Sequence, residues 1–313
     1  MSAAPQCGRR WLRAASVDTI FEQGRDAVPK ILTDDQVKGF FENGFVAPIR
    51  VMEEAGTKRY RTSLEAFEAR YPDDRLKLDQ KAHMICPWVD AMIREPRMLD
   101  ACEDLIGPDI LCWGTSLRAK NADGKTFAGW HQDTAYADVK PIVLIVALAL
   151  SPCGKENGCI RGLPGTHKGP LYPHKEAFGT SSLLTREQSI DAPLDESKAV
   201  DFALWPGEIA IFNNAICHSS NPNFGQDRRI IFLLEMIPTH AYQHFPRESA
   251  VLVRGADKFG NFDVDPKPRE EMGKAEIAAW EKAVAIQAQV LFRGAQRPPR
   301  ALKGMKSGVA PTG

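Results

Sequence analysis

The pattern of apolar and polar positions predicts that the N-terminal third of the chain is helical. Thr33 and Gln36 have the spacing of a capping box, in which each side chain bonds the backbone of the other residue. Apolar residues then recur at helical intervals until Gly44, a typical helix end. We therefore predict a helix that begins after Thr33, followed by a strand over Phe45–Val51. The apolar helix positions are Val37, Phe40 and Phe41.

Three further helices are predicted before residue 110, over Ser63–Arg70, Cys86–Arg94 and Met98–Ile106. Pro72 ends the first of them, and a Gly-Pro pair ends the third. The highly charged stretch Asp73–Lys81 is predicted to be a surface loop. These helices are too few and too short for an independent domain, so we expect them to buttress the rest of the fold.

From Ile110 onward the pattern changes to short apolar strands separated by Gly, Pro and Asn turns. The predicted strands are Ile110–Ala119, Ile142–Leu150, Cys159–Leu163, Val200–Leu204, Glu208–Phe212 and Arg229–Ile237. The second strand is apolar throughout, which indicates burial on both faces. This pattern favours a mainly β fold with flanking helices, namely the cupin-like jelly roll called the double-stranded β-helix.

The chain is charged and irregular from Pro238 to Gly273, and a helix is predicted over Ala275–Phe292. Its apolar residues recur every three or four positions, so we expect this helix to pack on the outside of a sheet. We divide the chain into three parts. Residues 1–30 are an irregular extension, residues 31–293 form a single jelly-roll domain with a helical buttress, and residues 294–313 form a flexible tail.

Composition and charge narrow the class of protein. The 313 residues include 40 basic and 40 acidic side chains, so no basic stripe suggests nucleic acid. The longest apolar run, Ile142–Leu150, is too short to span a membrane, and no secretory signal is predicted. The seven cysteines form no C-x-x-C motif, which favours reduced thiols in the cytoplasm. The sequence does not predict the oligomeric state.

The candidate chemistry centres on His131 and Asp133, a His-x-Asp motif at the predicted end of a strand. With one more histidine, such a pair makes the two-histidine, one-carboxylate arrangement of non-haem Fe(II) oxygenases. The third ligand should come from a late strand, and His218 fits best because it closely follows the strand at 208–212. The other histidines are interpreted as surface residues or as residues that support a ligand: His83, His167, His174, His240 and His244.

Arg229 stands eleven residues after His218 and opens an apolar strand. An arginine at the mouth of a buried strand needs an anionic partner, and its planar fork suits a carboxylate. A cosubstrate with a free carboxylate remote from the metal would supply that partner. Arg228 is the competing candidate. Adjacent residues of a strand face opposite sides, so only one of the two arginines can face the barrel interior.

Five short stretches occur in order: His131-Gln132-Asp133, Asn157-Gly158-Cys159, Leu163-Pro164-Gly165-Thr166-His167-Lys168-Gly169, His218-Ser219-Ser220-Asn221 and Arg229. Together they resemble the phytanoyl-CoA dioxygenase family of Fe(II)/2-oxoglutarate oxygenases. The resemblance implies Fe(II), 2-oxoglutarate and O2 as cofactor and cosubstrates, with His131, Asp133 and His218 as metal ligands. It also implies that Arg229 binds the far carboxylate of 2-oxoglutarate and that Ser220 assists.

Two stretches of the N-terminal half are similar to one branch of the same family, the carrier-protein-dependent aliphatic halogenases. They are Leu32-Thr33 to Gly44-Phe45 and Gly107-Pro108-Asp109-Ile110-Leu111-Cys112-Trp113. In those enzymes Ala or Gly replaces the carboxylate of the motif and opens a site for halide, whereas this chain has Asp133. The family has an aromatic contact to the cosubstrate on the long strand, where this chain has Ala147. Trp130 and Tyr136 are interpreted either as lining the substrate pocket or as core residues.

The resemblance implies hydroxylation of an aliphatic C–H bond in a small-molecule substrate or in a CoA- or carrier-linked acyl substrate, with release of succinate and CO2. Desaturation and cyclisation would use the same residues. Halogenation is a further alternative, which Asp133 argues against. A non-catalytic jelly-roll binding protein is the last alternative, and the complete set of ligands argues against it. We expect no nucleic-acid or membrane partner.

Overall fold

The computed structural model describes residues 29–135, 137, 139–176, 181–184, 186–244 and 246–293. The helices in these ranges are α1 (Asp34–Asn43), α2 (Glu54–Arg70), α3 (Pro87–Met92), α4 (Pro96–Ile106) and α5 (Lys274–Leu291). The strands are β1 (Phe45–Arg50), β2 (Ile110–Lys120), β3 (Ala128–His131), β4 (Leu144–Ala149), β5 (Ile160–Gly162), β6 (His174–Glu176), β7 (Gln188–Ile190), β8 (Val200–Phe202), β9 (Glu208–Asn213), β10 (His218–Ser220), β11 (Arg229–Pro238), β12 (Ser249–Arg254) and β13 (Asp263–Val264). The predicted extension, apart from residues 29 and 30, and the predicted tail lie outside the described residues.

Helix α1 begins and ends where the sequence predicts. The Thr33 hydroxyl accepts a hydrogen bond from the backbone N–H of Gln36 at 3.2 Å, and the Gln36 side chain accepts one from the backbone N–H of Thr33 at 2.9 Å. Gly44 ends the helix with a φ of 89°, a left-handed conformation that glycine adopts without steric cost. Strand β1 follows at once, so these predictions are confirmed.

The strands form two facing sheets. The larger sheet has the order β1-β9-β4-β11-β2-β12-β13, and the smaller sheet has the order β3-β10-β5-β8. All pairs in them are antiparallel except β12 with β13. Strands β6 and β7 form a separate hairpin. Because strands distant in sequence are neighbours in each sheet, the chain crosses between the sheets repeatedly, and the predicted jelly roll is confirmed.

Strand β4 is buried on both faces and separates two apolar cores. Leu144 and Val146 pack in the core between the larger sheet and the helices. Ile145 and Ala147 pack in the core between the two sheets. The continuous apolar run in the sequence therefore reflects burial on both faces, as predicted.

Helix α5 packs against the helix-side core of the larger sheet. Trp280 is buried there, and its indole N–H donates a 2.7 Å hydrogen bond to the carbonyl of Gln80. Val284, one turn further along the helix, is also fully buried. Among the described residues, no helix is both long enough and apolar enough to cross a membrane.

One predicted helix start and one predicted irregular region are wrong. Helix α2 begins at Glu54 rather than Ser63. The prediction missed its first turns because the residues around the buried positions Thr57 and Tyr60 are polar, so no apolar helical pattern is visible there. Residues 238–273, predicted to be irregular, contain β12 and β13. Strand β12 has mixed polarity and forms by pairing with β2. A pairing between distant segments leaves no local pattern in the sequence.

The stretch Asp73–Lys81 is not a surface loop. It forms a 3-10 helix over Pro72–Asp79, and Leu78 is completely buried. Lys81, at the end of the stretch, is only 1% exposed. The prediction failed because charged residues were assumed to face solvent, whereas this lysine has partners inside the fold.

A buried ion pair holds this stretch against the larger sheet. The Lys81 ammonium donates to the Asp265 carboxylate at 2.9 Å and to the carbonyls of Trp113 and Ser249 at 2.8 Å each. His83 Nε2 lies 3.0 Å from the same carboxylate oxygen. Burial alone would raise the pKa of Asp265, but the charge of Lys81 and the His83 contact hold that pKa well below its usual range. Asp265 is therefore ionised at neutral pH.

We expect Asp265→Ala to lower the free energy of unfolding by about 3–5 kcal/mol, because Lys81 is then buried without a counter-charge. Equilibrium unfolding in urea measures the change. Asp263 is the matched control, since it pairs with Arg247 on the exposed surface. Asp263→Ala should cost no more than about 1 kcal/mol. Equal losses in the two variants would contradict this account.

Candidate active site

Two strands of the smaller sheet bring the predicted histidines together. β3 pairs with β10 so that His131 stands directly opposite His218. Both side chains are buried, and their ring centroids are 4.0 Å apart. Phe212 of β9, in the larger sheet, packs on His218 with a centroid distance of 4.9 Å. The histidines therefore face the space between the sheets.

Asp133 follows β3 in a turn that is anchored to the segment before β10. The backbone N–H groups of Asp133 and Thr134 donate to the carbonyl of Asn214 at 2.9 and 3.3 Å. Asp133 Oδ1 lies 3.5 Å from His131 Nε2, and Asp133 Oδ2 lies 3.8 Å from His218 Nε2. One ligand atom from each of the three residues lies within 4.8 Å of the others. The structure thus brings all three predicted ligands into one cluster.

The protonation pattern of the two histidines suits a metal ion. His131 Nδ1 lies 2.8 Å from the carbonyl of Gly129, and His218 Nδ1 lies 3.0 Å from the carbonyl of Ile216. A carbonyl only accepts hydrogen bonds, so each Nδ1 carries the proton and each Nε2 presents a lone pair. Two imidazole nitrogens and one carboxylate oxygen are the donor set of non-haem Fe(II) sites. The residues therefore fit an iron ion.

The local charges favour a metal ion over a proton. Burial, and then repulsion from His131, lower the pKa of His218 to about 4. Burial alone would raise the pKa of Asp133, but the charges of His218 and His131 hold it below its usual range. At neutral pH the site therefore offers a neutral His218 and an ionised Asp133, which is the state that metal coordination requires.

Gln132 and His174 hold the loop that carries Asp133. The backbone N–H of Gln132 donates to His174 Nε2 at 3.2 Å, and its side chain donates to the carbonyl of Ala215 at 2.8 Å. Its side-chain oxygen accepts the backbone N–H of Tyr172 at 2.9 Å. From the sequence, His174 was interpreted as a surface residue or as a residue that supports a ligand. Its supporting position depends on the β6-β7 hairpin, which the sequence did not predict.

Arg229 is buried at the start of β11, with only 1% exposure. Its Nη1 donates to the carbonyl of Gly158 at 2.9 Å and its Nη2 to that of Arg118 at 3.0 Å, while Nε has no partner. Arg228 faces the other side of the strand, where it pairs with Glu68 of α2. Of the two predicted candidates, Arg229 is the one whose side chain lies inside the fold.

A second buried cation, Lys120, was missed in the sequence. It is the last residue of β2 and pairs in register with Arg229. Its ammonium donates to the hydroxyl of Ser220 at 2.7 Å and to the carbonyl of Ser220 at 3.2 Å. Burial, followed by repulsion from Arg229, lowers the pKa of Lys120 to about 6, so a bound anion is needed to keep its amine charged at neutral pH. No local pattern marks this lysine, because its partners are far away along the chain.

The two buried cations lack an acidic partner. Among the residues that the structure describes, no carboxylate forms an ion pair with Arg229 or Lys120, and the Nε of Arg229 is left without an acceptor. Burying unpaired charge is costly, so the pocket is suited to an anion. This arrangement is consistent with the prediction that Arg229 binds a carboxylate.

The other residues singled out in the sequence lie around this site or away from it. Ala147 faces the space between the sheets. The half-buried Trp130 ring lies beneath the guanidinium of Arg161, 5.2 Å from it, in a small apolar cluster. Tyr136 lies outside the described residues. The described histidines that do not join the cluster of potential ligands are His83, His167, His174, His240 and His244.

The fold and the site define a double-stranded β-helix protein with a two-histidine, one-carboxylate centre. The sequence profile of the family described as phytanoyl-CoA dioxygenase (PhyH) matches residues 12–231. The chain belongs to this family. The resemblance drawn from the sequence motifs is therefore confirmed, whereas the likeness to the halogenase branch is not.

Relatives and solved structures agree with this assignment. Peroxisomal phytanoyl-CoA dioxygenase of Rattus norvegicus is 27% identical over 227 residues, which cover 64% of this chain and 66% of that protein. The apo structure of the non-haem monooxygenase ThoJ has a TM-score of 0.75 and 26% identity, and the match covers 84% of this chain and 99% of that one. A structure described as CytC3 with Fe(II) and alpha-ketoglutarate has a TM-score of 0.58 and 22% identity, and the match covers 78% of this chain and 95% of that one. At this identity the similarity shows the fold alone.

The chain spans 56% and 66% of the length of the first two curated relatives that it matches. Family membership and the donor set assign Fe(II), 2-oxoglutarate and O2 to this chain as cofactor and cosubstrates, as the sequence predicted. The buried cations beside the triad are consistent with a cosubstrate that carries two carboxylates.

We expect His218→Ala to weaken Co(II) binding by at least about a hundredfold, because it removes one of three ligand atoms. Isothermal titration calorimetry measures the dissociation constant, with Co(II) as an oxygen-stable substitute for Fe(II). His240→Ala is the control, since this half-buried histidine lies outside the ligand cluster. Loss of Co(II) binding in the His240 variant, with binding retained in the His218 variant, would refute the assignment.

Proposed function

We propose that the protein is an Fe(II)- and 2-oxoglutarate-dependent oxygenase that hydroxylates an aliphatic C–H bond. The observation that carries this proposal is a metal triad beside two buried cations without an acidic partner. The substrate is a small molecule or an acyl group linked to CoA or a carrier. The name of the Rattus norvegicus relative contains a CoA thioester, phytanoyl-CoA, which supports an acyl group linked to CoA or a carrier.

Three side chains hold the metal. His131, Asp133 and His218 would hold Fe(II), and a ligand set of this kind leaves coordination positions for the cosubstrates. With 2-oxoglutarate and O2, bound iron supplies an oxidant strong enough to break an aliphatic C–H bond. One oxygen atom of O2 becomes the hydroxyl group of the product, and the other enters succinate as CO2 leaves. Gln132 and His174 keep Asp133 in place through the hydrogen bonds of its loop.

The buried cations orient the cosubstrate. Arg229 binds the far carboxylate of 2-oxoglutarate, and its free Nε offers one more donor. The hydroxyl of Ser220 assists, and the Lys120 amine donates a hydrogen bond to that hydroxyl. A bound carboxylate would favour the charged form of Lys120, whose pKa is otherwise lowered to about 6. Because Ser220 and His218 lie on the same short strand, β10 links the metal to the carboxylate pocket.

Other reactions at the same site are less well supported. In the halogenases, halide takes the metal position that the motif carboxylate would otherwise hold. In this chain Asp133 lies 3.5 Å from His131 Nε2 and would hold that position itself. Desaturation and cyclisation begin with removal of the same kind of hydrogen atom, so they remain variants of this proposal. A non-catalytic binding protein would have no need of a complete ligand set, and the described residues provide all three potential ligands.

We further propose that residues 31–293 act as one domain in the cytoplasm, with no nucleic-acid or membrane partner. The cysteines that the structure describes are all free and buried, which supports a reducing compartment. The balance of 40 basic and 40 acidic residues supports the absence of a nucleic-acid partner.

Succinate formation tests the proposed reaction. The protein with Fe(II), 2-oxoglutarate and ascorbate is assayed in air against pools of acyl-CoA thioesters, amino acids and small natural products. A substrate should raise succinate above the substrate-free rate and yield a product heavier by one oxygen atom. The rate of succinate formation by the Asp133→Ala variant gives the background. The proposal fails if the unmodified protein never exceeds that background with any pool.

Arg229→Ala should weaken 2-oxoglutarate binding strongly while Co(II) binding is largely kept. Loss of a charge-assisted contact to a buried carboxylate costs about 2–5 kcal/mol. That is at least about a thirtyfold rise in the dissociation constant, at about 1.4 kcal/mol per tenfold. Calorimetry on the Co(II)-loaded protein measures this constant.

Arg228→Ala is the matched control, because its side chain faces Glu68 on the other side of β11. We expect its affinity for 2-oxoglutarate to stay close to that of the unmodified protein. A large loss in the Arg228 variant with little change in the Arg229 variant would show that the carboxylate lies elsewhere.

A further inference from the structure

Inside the barrel one carboxylate is left without a partner. Glu235 lies on the face of β11 that also carries Leu233 and Ile237, both packed in the core between the sheets. In the sheet it stands between Gly114 of β2 and Ile145 of β4. Among the described residues, none forms a hydrogen bond or an ion pair with its side chain.

The fold makes room for this carboxylate. The register between β11 and β2 shifts next to Glu235, which marks a bulge in β2 beside Gly114. A Cβ atom on Gly114 would lie 2.1 Å from Glu235 Oε2, so any other residue there would displace the carboxylate. Bulges commonly re-aim side chains near active sites, and glycine in a strand allows close approach. The position of Glu235 is therefore determined by a specific local feature of the strand opposite.

Glu235 borders the same space as the metal site. Although it faces inward, it stays partly exposed, and so do Leu233, Arg118 and Asp133. These residues come from β11, β2 and the metal-binding loop, so accessible space remains between the sheets. Burial, and then the charge of Asp133, raise the pKa of Glu235 to about 7. Asp133 lies close enough for its charge to act on Glu235.

The anionic cosubstrate does not account for Glu235. Arg229 lies six residues earlier on β11, about 20 Å along the strand at roughly 3.3 Å per residue. Arg118 pairs with Ile231, so it also lies towards the Arg229 end. Arg229, Lys120 and Arg118 therefore lie towards one end of β11, and Glu235 lies towards the other. Lys81 acts on Glu235 from the side of Trp113, but it is already paired with Asp265. A substrate that approaches the metal away from the cosubstrate meets Glu235.

We propose that Glu235 binds a cationic nitrogen of the substrate, as an ammonium, guanidinium or imidazolium group, and so selects the substrate. This inference rests on the proposed function and narrows its substrate class to molecules with a basic nitrogen. A buried carboxylate without a partner is costly, and a cation with N–H donors supplies both the opposite charge and the missing hydrogen bonds.

Probes of equal length but different charge test the inference without turnover. The protein is loaded with Mn(II) and 2-oxoglutarate at pH 8 and titrated with hexylammonium, 1-hexanol or hexanoate. Mn(II) speeds proton relaxation only in molecules bound close to it, so NMR relaxation gives each dissociation constant at the site. We expect hexylammonium to bind at least about tenfold more tightly than hexanol, and hexanoate to bind most weakly.

Variants assign the preference to one side chain. Glu235→Gln should bring hexylammonium and hexanol to within about twofold of each other, and Gly114→Ala should act in the same direction by displacing the carboxylate. Glu281→Gln removes a charge from the exposed face of α5 and should keep the full preference. The preference of the unmodified protein is informative even if a variant does not fold.

Two results would overturn the inference. One is equal or absent binding of hexylammonium relative to hexanol in the unmodified protein, and the other is a preference that persists in Glu235→Gln. The methylene protons of 2-oxoglutarate separate this failure from that of the proposed function. If Mn(II) does not relax them, the proposed function fails and the inference fails with it. If Mn(II) relaxes them but the charge preference is absent, the inference about Glu235 alone is wrong.

Discussion

Arg229 carries a positive charge into the interior of the barrel, where the described residues give it no acidic partner, and Lys120 lies opposite it with its charged form disfavoured by burial. Their position follows from the register of β11 against β2, which places the two residues opposite each other. The hydroxyl that Lys120 holds belongs to Ser220, on the same short strand as the metal ligand His218. Strand β10 therefore fixes the distance between the metal site and the pocket for an anion.

Charge is distributed along the barrel in a way that separates the reactants. Arg229 and Lys120 lie towards one end of β11, the metal ligands lie on the smaller sheet and the turn after β3, and Glu235 lies towards the other end of β11. An anionic cosubstrate and a cationic substrate would each be drawn to a different side of the metal. Two local features support this arrangement: the hydrogen bonds that orient each imidazole, and the glycine that leaves room for Glu235.

Much of the fold and the metal site could be predicted because their signals are local. The capping box at Thr33 and the apolar run of β4 each reflect one segment, and His131 and Asp133 are two positions apart. Lys120 and Glu235 could not be predicted, because their roles depend on the strand register and on a bulge. The buried network of Lys81 was missed for a related reason, since a charged stretch was assumed to lie on the surface. In each case the missing information was a contact between distant parts of the chain.

We propose that Arg229, with Lys120 opposite it, binds the far carboxylate of the cosubstrate. The most direct test is a titration of the Fe(II) protein without oxygen, in which visible absorption reports chelation by a 2-oxo acid. 2-Oxoglutarate and 2-oxobutyrate share the chelating end, and only the first has a far carboxylate. The account predicts that 2-oxoglutarate binds at least about thirtyfold more tightly, which corresponds to roughly 2 kcal/mol or more. Equal affinities for the two acids would contradict it.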